Sequence, residues 1–550
     1  MPEPTIAPPA PKVTLWTPFV HAVFRAIWIA GLVSNVGTWM QNVAGVWLVT
    51  ALTASATLVA LMQTATSLPA FLLSMPGGVL ADLVDRRRLL LFTQGFMAVV
   101  AMALGVLTLA GGISAYGVLG FTFLLGMGAA LNLPIWQSIV TELVPRPAVS
   151  SAITLNGVSN NIARAIGPAI GGVIIAYYSA GWVFVLNGFS FLGTWAVVYF
   201  WKRQPLATSG PAENFIGALR AGLRYVQYSP AIYGVLVRTF AFSFGASAMW
   251  ALTSVVVKHL NLSAGHYGAT LSWLGAGAVT GAVLMGRAGS RLNFNQRVLL
   301  GVLAFAGTNL ALALISNIYV LYAVMFVSGI AWLLVMTSFS TTVQLSVPKW
   351  VQARVISVYM LVFQAGLSIG SLVWGVLADH LSLQTSLLTA AGWMLASTLL
   401  ALPFPMRSAE GLNLDPADDR PRTTGEGSID LDDGPVLVMI EYQVAPADWA
   451  VFHLAAEQLT RLRLRDGALR AGVFADVAVP TRISEFFYVA TWGEHQRQHH
   501  RFTREDQLVE ARVRRFHRGT EEPRITHFLA FPNTSNVEVA TPIPTLESQW

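Results

Sequence analysis

Twelve runs of about 20 mainly apolar residues follow one another between positions 20 and 404, and each is long enough to cross a lipid bilayer as a helix. Inside a bilayer every backbone polar group needs a partner within the protein, which restricts such runs to helices. The chain is 54% hydrophobic and only 11% charged, whereas about a quarter of a soluble domain is charged. The sequence therefore predicts an all-α membrane protein with twelve transmembrane helices over most of its length.

Charge divides the chain into two unlike parts. Residues 1–400 hold 18 basic and 6 acidic side chains, a net charge of +12, whereas residues 401–550 hold 16 basic and 22 acidic side chains, a net charge of −6. The basic excess belongs to loops between spans, so we do not expect nucleic-acid binding. Cysteine is absent, which excludes disulfides and thiol chemistry. A water-soluble tail is predicted to follow the membrane domain.

The basic loop residues alternate between the two sides of the predicted membrane domain. Connections after even-numbered spans carry arginine or lysine, as at Arg86–Arg88, whereas connections after odd-numbered spans are nearly bare apart from Lys258. Cationic loops are retained in the cytoplasm. This pattern predicts a multi-pass membrane protein with both termini in the cytoplasm.

An internal repeat predicts two halves of six spans each. A shift of 203 residues places Gly126 on Gly329 and Gly172 on Gly375. Repeats of this kind put a substrate near the middle of the membrane, between halves that rock against each other. Between the halves, Asn214–Tyr228 has an amphipathic pattern with Leu223 on the apolar face. It is predicted to be a linker helix at the membrane surface rather than a binding site.

The chain is predicted to contain seven segments. They are a disordered N-terminus (1–17), an N-terminal six-helix half (18–201), a cytoplasmic linker helix (202–230), a C-terminal six-helix half (231–405), a flexible linker (406–434), a cytoplasmic domain (435–531) and a disordered end (532–550). The linker at 406–434 is assigned from its aspartate, proline, glycine and threonine content.

The cytoplasmic domain is predicted to be a small α+β fold of the ferredoxin-like kind. Its pattern gives strands at 436–444, 468–477, 483–492 and 525–531, and helices at 446–465 and 494–516. This βαββαβ order is that of the split βαβ motif. His495 and His499 lie four residues apart on the second helix, a spacing that can bind a metal. No third ligand is evident, so a solvated or packed helix face is favoured and no metal is expected.

This tail resembles the dimeric α/β-barrel domains of antibiotic-biosynthesis monooxygenases, on the sequence Trp492-x-Glu494-His495-x-x-Gln498-His499. The resemblance implies a homodimer through the tail. Such monooxygenases need no metal or flavin, so the resemblance leaves a small oxygenase as an alternative to a dimerisation or regulatory module.

The loop after the second span is similar to a signature of the major facilitator superfamily. Gly78, Leu80, Ala81, Asp82, Arg86 and Arg87 match the family pattern, and Asp85 stands where the family has glycine. The resemblance implies a gate built from Gly78, Asp82, Arg86 and Arg87, with Glu142 at the end of span four as an ion-pair partner. The alternative is that these charges only fix the orientation of the loop.

The fifth span carries polar side chains at helical spacing. Asn156, Asn160 and Arg164 recur every four residues and share one helix face. A cation within a span is costly in lipid and is expected to point into the bundle or a wet cavity. Arg164 is therefore either an anion-attracting or gating residue of a cavity, or is packed and paired with Glu142 or backbone carbonyls.

A glycine-rich run follows in the same span. Gly167, Pro168, Gly171 and Gly172 resemble the fifth-span signature of major facilitator antiporters, which is associated with export. Small residues let helices approach closely, and proline permits a bend. We expect these four residues to contribute to gating.

Further polar and aromatic residues are predicted to line the substrate site. Including the fifth-span residues, the candidates are Asn35, Trp39, Asn42, Gln63, Trp136, Asn156, Asn160, Arg164, Tyr359 and Gln364. Each residue taken alone has packing as an alternative role. Together they suit a bulky, partly polar ligand.

Two features that are missing from the sequence restrict how transport could be driven. No aspartate or glutamate lies in the middle of a span, although proton antiporters commonly carry one, and no phosphate-binding loop of the Gly-x-x-x-x-Gly-Lys-Ser/Thr type is present. Transport driven by ATP is therefore not expected, and no cofactor is predicted. Proton coupling is implied only by resemblance.

As a whole the chain resembles the enterobactin-exporter-like group of major facilitator proteins, also called transmembrane secretion effectors. The resemblance implies a secondary transporter that exports a small organic molecule, such as a siderophore or a drug, through the bacterial inner (plasma) membrane, whose lipids surround it. Two alternatives are an exporter with an active monooxygenase tail, and a non-transporting scaffold or sensor whose tail recruits a partner.

Overall fold

The structure, a computed structural model, describes residues 14–201, 215–288, 292–406, 413–417 and 429–530. Within these ranges the side chains at 74–83, 134, 138, 140–141, 215–220 and 286–288 lie outside the description. The described residues form two compact units. The membrane unit contains 14–201, 234–344 and 356–406 apart from the gap at 289–291, and the tail unit contains 216–233, 345–355 and the described residues from 413 onward.

Twelve long helices make up the transmembrane part of the described chain. The first six are α1 Ala22–Leu52, α2 Ala56–Leu83, α3 Arg86–Leu109, α4 Ala115–Glu142, α5 Val149–Tyr177 and α6 Ala180–Phe200. After the short helix α7 Phe215–Gln227 come α8 Pro230–His259, α9 Ala264–Ala288, α10 Phe294–Leu314, α11 Ile318–Leu345, α12 Lys349–His380 and α13 Leu383–Ser397. Eleven of the twelve are long and apolar enough to cross a membrane, and the exception, α5, carries the polar residues noted above.

The internal repeat is visible in the packing of its glycines. A side chain at Gly126 of α4 would meet Pro69 and the carbonyl of Ala65 on α2, and one at Gly329 of α11 would meet the carbonyl of Leu274 on α9. The two glycines, 203 positions apart, therefore make equivalent close helix contacts in each half. Small residues at these points let the helices approach closely.

The two halves meet through a second pair of equivalent glycines. A Cβ at Gly172 of α5 would lie 3.0 Å from Gly268 Cα of α9. Its equivalent Gly375 of α12 packs on α2, where a Cβ would lie 3.0 Å from Thr57 Cα. The predicted two-half, all-α membrane fold is thus confirmed, with the halves in contact along α5–α9 and α2–α12.

The turn between α2 and α3 explains why aspartate replaces the family glycine. Asp85 is the N-cap of α3, and its side chain accepts a hydrogen bond from the backbone amide of Arg88 at 2.9 Å. Its φ of −56° needs no glycine. Glycine at this position would leave that amide without a side-chain acceptor, so Asp85 adds a hydrogen bond at the start of α3.

The tail contains a four-stranded antiparallel sheet with helices on one face. The elements are β1 Val436–Gln443, α14 Trp449–Asp466, β2 Arg470–Ala475, β3 Arg482–Val489, α15 Trp492–Arg501, α16 Arg504–Arg514 and β4 Arg524–Leu529. The strand order β2-β3-β1-β4 is that of a ferredoxin-like fold. Val438, Ile440 and Phe452 lie in the core between sheet and helices.

One predicted tail element is wrong. The helix expected over 494–516 is two helices, because Thr503 begins a new one. Its hydroxyl accepts from the Asp506 amide while the Asp506 carboxylate accepts from the Thr503 amide at 2.9 Å, which is a capping box.

The tail unit also contains α7 and the first turns of α12. The Arg465 guanidinium lies 5.2 Å from the ring centre of Tyr225 on α7, and that of Arg501 lies 4.7 Å from the ring of Trp350 on α12. Arg224 donates to the carbonyl of Gly467 at 3.2 Å. The predicted linker helix is present, but its buried Tyr225 packs within the tail unit, whereas Leu223 of the predicted apolar face is 48% exposed.

The histidines of the tail predict its acid sensitivity. Burial, followed by the neighbouring His499 and His527, lowers the pKa of His495 to about 3. A base whose pKa is 6.5 in the unfolded chain and lower in the fold stabilises the fold fully above pH 6.5, and this contribution is lost as the pH falls toward 3. We expect a loss of about 2–3 kcal/mol by pH 4.5 from this group. Hydrogen exchange of the tail amides between pH 7 and 4.5 would measure it.

The control for this prediction is another histidine of the same domain. His495→Gln is expected to flatten the pH dependence, whereas substitution of the exposed His453 by glutamine is expected to leave it unchanged. Equal pH profiles in the wild-type chain and His495→Gln would contradict the assignment.

Candidate functional site

A cavity lies between the two halves of the membrane unit. It contains about 970 Å³ of empty space, counting the part open to solvent. Six of its lining residues come from the second half or from the fifth span: Arg164, Trp250, Tyr267, Leu271, Trp332 and Leu367. The other walls come from α1, α2 and α4, including Trp39, Asn42, Gln63 and Thr122. This central cavity therefore touches both halves.

A second cavity continues from the central one through shared residues. It contains about 1200 Å³, and Gln41, Asn42, Thr66 and Thr122 line both cavities. Its remaining walls include Asn35, Trp136, Asn156 and Asn160. We name the end of the bundle with the α1–α2 connection (53–55) end A, and that with the α2–α3 connection (84–85) end B. Leu133 and Asn160, toward end B, are exposed, so the second cavity opens there.

Eight of the ten predicted substrate residues line one of these cavities. They are Asn35, Trp39, Asn42, Gln63, Trp136, Asn156, Asn160 and Arg164. Tyr359 is buried and Gln364 half-buried, and neither lines either cavity. Both lie on α12, and their contact with a substrate stays a prediction.

Arg164 is the cationic side chain of the central cavity. Its guanidinium carbon lies 5.3 Å from the ring centre of Trp39. Its Nε is buried and has no hydrogen-bond partner among the described residues. Among the described residues no ion pair joins Arg164 to Glu142, whose carboxylate accepts from Arg86 at 2.7 Å.

Several lining residues were not predicted. Trp250, Tyr267 and Trp332 form aromatic walls from the second half. Gln41, buried next to Asn42, accepts from Asn187 Nδ2 at 2.5 Å. A tryptophan in the middle of a span is the available signal, but membrane cores also bury tryptophan, so the sequence alone does not separate the two roles.

At end A the carboxylate of Asp379 joins the two halves through hydrogen bonds. Asp379, the penultimate residue of α12, accepts from the amides of Ala56 and Thr57 at 2.6 and 2.9 Å, and from the Ser55 hydroxyl at 2.6 Å. It thus caps the N-terminus of α2, which belongs to the other half. An acidic group favours the positive end of a helix dipole.

A positively charged residue, Lys258, makes a second contact between the halves at the same end. Lys258 at the end of α8 donates to the carbonyls of Thr50 and Thr53, where α1 ends. Ser254, one turn earlier, accepts from the Thr50 hydroxyl at 2.9 Å. A cation at a helix C-terminus is stabilising. We call Asp379 and Lys258 the end-A latch.

Asp379 stands in a sequence that occurs twice. Gly-Val-Leu-Ala-Asp is found at 78–82, where α2 ends, and again at 375–379, where α12 ends. The second copy was a signal for the latch that the sequence analysis overlooked. Gly78 and Asp82 of the first copy lie among the side chains outside the described residues.

The arginines at end B hold helix ends of one half together. Arg86 pairs with Glu142 as expected, and joins α3 to the end of α4. Arg87 donates to the carbonyls of Val198 and Tyr199 at the end of α6, at 3.2 Å for Val198. These contacts lie inside the first half, so their part in gating stays a prediction.

The glycine-rich run of α5 packs against two helices. Side chains at Gly167 and Gly171 would collide with α1, at 2.6 Å from Trp39 Cβ and 3.0 Å from Met40 Cα. Gly172 faces α9 instead. Pro168 lies within α5 and is buried. The expected close packing is present, and a gating role for these residues remains a prediction.

Comparison with known proteins agrees with this architecture. A family model described as transmembrane secretion effector, of the major facilitator type, matches residues 13–535. The chain belongs to this family. It is therefore a multi-pass membrane transporter of the bacterial inner membrane.

Two relatives show how far the similarity extends. The MFS-type transporter YfiS of Bacillus subtilis is 23% identical over 380 residues, which cover 67% of this chain and 90% of the relative. The enterobactin exporter EntS of Shigella flexneri is 26% identical over 271 residues, or 48% of this chain. That match spans 63% of the exporter's length, somewhat less than two thirds.

Solved transporters share the fold at low identity. A bacterial homologue of the human lysosomal transporter Spinster, inward-facing and unoccupied, aligns with a TM-score of 0.55 and 14% identity, covering 71% of this chain and 96% of the homologue. The nucleoside transporter NupG aligns with a TM-score of 0.59 and 12% identity, covering 70% and 100%. These likenesses concern the membrane fold alone.

The tail histidines are part of a packed core. His495 lies with its ring 5.4 Å from Trp492 and 4.9 Å from His527, and its Nε2 is 3.2 Å from His499 Nε2. Among the described residues no group of three histidine, cysteine or acidic side chains is placed to hold a metal. The 2% exposure of His495 gives no support to a substrate pocket at this residue.

Proposed function

We propose that this transporter exports a small organic molecule by alternating access. The observation that carries the proposal is the central cavity between the halves, continuous with an opening at end B and closed at end A by the latch. A cavity reached from one end at a time is what a rocking transporter needs. The relationship to the enterobactin exporter favours export and a siderophore-like or drug-like substrate.

The positive loops favour end B as the cytoplasmic end. Arg86, Arg87 and Arg88 follow α2 there, whereas end A has few charges. With this orientation the structure corresponds to an inward-facing state, in which substrate enters from the cytoplasm. Both termini then lie in the cytoplasm.

We infer that the two copies of Gly-Val-Leu-Ala-Asp act in turn. α2 and α12 run in opposite directions and pack through Gly375, and α12 ends beside the start of α2. Asp379 caps α2 in the present state. Asp82 would take the corresponding part when end B closes, and the Arg86–Glu142 pair would adjust with it. Gating would thus pass from one copy of the pentapeptide to the other.

The role of the tail follows from its open face. Phe474, Tyr488 and Phe528 lie partly exposed on the side of the sheet away from the helices. This apolar face favours a homodimer through the tail, and no contact of the described tail supports the monooxygenase alternative.

Transport in vesicles tests the proposal. Inside-out vesicles are expected to accumulate one member of a panel of siderophores and hydrophobic drugs when a proton gradient is imposed. A protonophore is expected to abolish accumulation if the gradient drives transport, and Asp82→Asn is expected to reduce the rate at least tenfold. The readout is retained radiolabel after filtration.

Two outcomes separate the alternatives. Accumulation that survives the protonophore would contradict proton coupling but keep the transporter. A well-folded protein that moves no compound of the panel would contradict the export proposal and favour the scaffold or sensor.

A further inference from the structure

We propose that Arg164 binds an anionic group of the substrate, and that the transported molecules are organic anions with a flat aromatic part. This inference rests on the proposed function and names its substrate class. It begins from a charge that has no counter-ion in the part of the chain that the structure describes.

The described residues around Arg164 include no carboxylate. None of the residues that line either cavity is acidic. The first 400 residues hold six acidic side chains: Glu3, Asp82, Asp85, Glu142, Glu213 and Asp379, all outside the middle of the spans. Glu142 pairs with Arg86 and Asp379 caps α2. The guanidinium of Arg164 therefore has no acidic partner among the described residues.

An unpaired cation at this depth is costly, and a ligand can remove the cost. A charge buried away from water loses hydration that only a hydrogen-bonded partner replaces. The guanidinium is a planar fork that binds carboxylate, sulfonate or phosphate groups through two parallel bonds. The guanidinium carbon of Arg164 lies 5.3 Å from the ring centre of Trp39. Because the indole covers one face of the guanidinium, its N–H edge can still bind an anion.

The walls around Arg164 indicate the rest of the ligand. Trp250, Tyr267 and Trp332 offer aromatic surfaces, and Asn42 and Gln63 offer amide groups. Aromatic walls favour flat apolar groups, and amides fix the orientation of hydroxyl or carbonyl groups. A cationic drug would meet like charge at Arg164 and no acidic residue among the lining side chains. The cavity therefore selects an aromatic anion.

Binding of matched probes tests this assignment. The probes are naphthalene-2-sulfonate, naphthalene-2-carboxamide and 2-naphthylmethylammonium, which share one ring system and differ in charge. Binding to the full chain in detergent would be measured by calorimetry. The sulfonate is expected to bind at least tenfold more tightly than the amide, and the ammonium compound least tightly.

Variants at Arg164 give the decisive comparison. Arg164→Gln is expected to weaken sulfonate binding by about 10- to 100-fold, the range for a hydrogen bond to a charged group, with the amide unchanged. Arg164→Lys is expected to keep part of the preference, since it retains the charge. The matched control is Arg297, which lies outside both cavities with its guanidinium carbon 5.3 Å from the ring centre of Phe294. Arg297→Gln is expected to bind all probes like the wild type.

The outcomes distinguish this inference from the proposed function. Equal losses for sulfonate and amide in Arg164→Gln, or unchanged sulfonate binding, would overturn the anion site even if transport is observed. Sulfonate binding that depends on Arg164 would support the site, and failure of any bound anion to move in vesicles would then count against the export proposal alone.

Discussion

Asp379→Ala is expected to open end A of the transporter. The substitution removes three hydrogen bonds to the start of α2, those from Ser55, Ala56 and Thr57. Asp379 is exposed, so we take the cost of losing a helix cap, about 1–2 kcal/mol, rather than that of a buried charge. Such a loss shifts the balance between the two states by roughly 5- to 30-fold toward opening at end A.

Cysteine labelling measures this shift directly, because the chain has no cysteine of its own. Val46→Cys places a thiol in the central cavity. A maleimide that does not cross membranes, added from the end-A side, is expected to label it 5- to 30-fold faster when Asp379→Ala is also present. Lys258→Ala is expected to act in the same direction, because it removes the other half of the latch.

A cap within one half provides the control. Asn317 accepts from the Tyr319 amide at 3.0 Å at the start of α11, also at end A. Asn317→Ala removes a comparable hydrogen bond that does not join the halves, so labelling of Val46→Cys should stay at the wild-type rate. Equal labelling rates in Asp379→Ala and Asn317→Ala would show that the latch does not hold end A closed.

Glu485→Ala is expected to unfold the tail under conditions in which the wild-type tail is stable. Glu485 accepts from Arg463 at 2.9 Å and from the Tyr442 hydroxyl at 3.0 Å. The side chains of Arg463 and Glu485 are only 4% and 3% exposed. Removing Glu485 leaves the buried Arg463 guanidinium with the longer 3.5 Å ion pair to Glu510, at a cost of about 3 kcal/mol, the lower end for breaking a buried pair.

The same domain offers an exposed pair for comparison. Glu457 and Arg461 form a salt bridge at 2.7 Å on α14, with half of each side chain in solvent. Glu457→Ala is expected to cost about 1 kcal/mol or less. Hydrogen exchange of the β1 and β3 amides in the full chain would measure both variants, and similar protection in the two would contradict a structural role for the buried pair.

The membrane part of the fold could be predicted because lipid restricts the choices. Long apolar runs can only be helices, and the glycines at 126 and 329 revealed the two halves before their packing was known. The cavity was predicted largely through the polar residues of the first half. Its aromatic walls were missed, since Trp250 or Trp332 would look the same in a packed core.

Contacts between distant segments were harder to predict. Asp379 and Ala56 are 323 positions apart. No local sequence pattern predicts that Asp379 caps the helix that begins at Ala56, although Asp379 ends the second copy of the repeated pentapeptide. The start of α16 did have a local signal, Thr503 followed by Asp506. The prediction missed this signal because the helical pattern continues on both sides of it. The partner of α7 was missed because amphipathicity specifies that a face is buried, not what covers it.

The 32 residues of α12 also set a limit on how this protein can change. Gly370 of α12 packs on Phe244 of α8, and Asp379 in its last turn caps α2. Each residue advances an α-helix by about 100° and 1.5 Å. One residue inserted between these positions would turn Asp379 about 100° relative to Gly370, so only one of the two contacts could be kept. We therefore expect this part of α12 to tolerate single substitutions better than insertions or deletions.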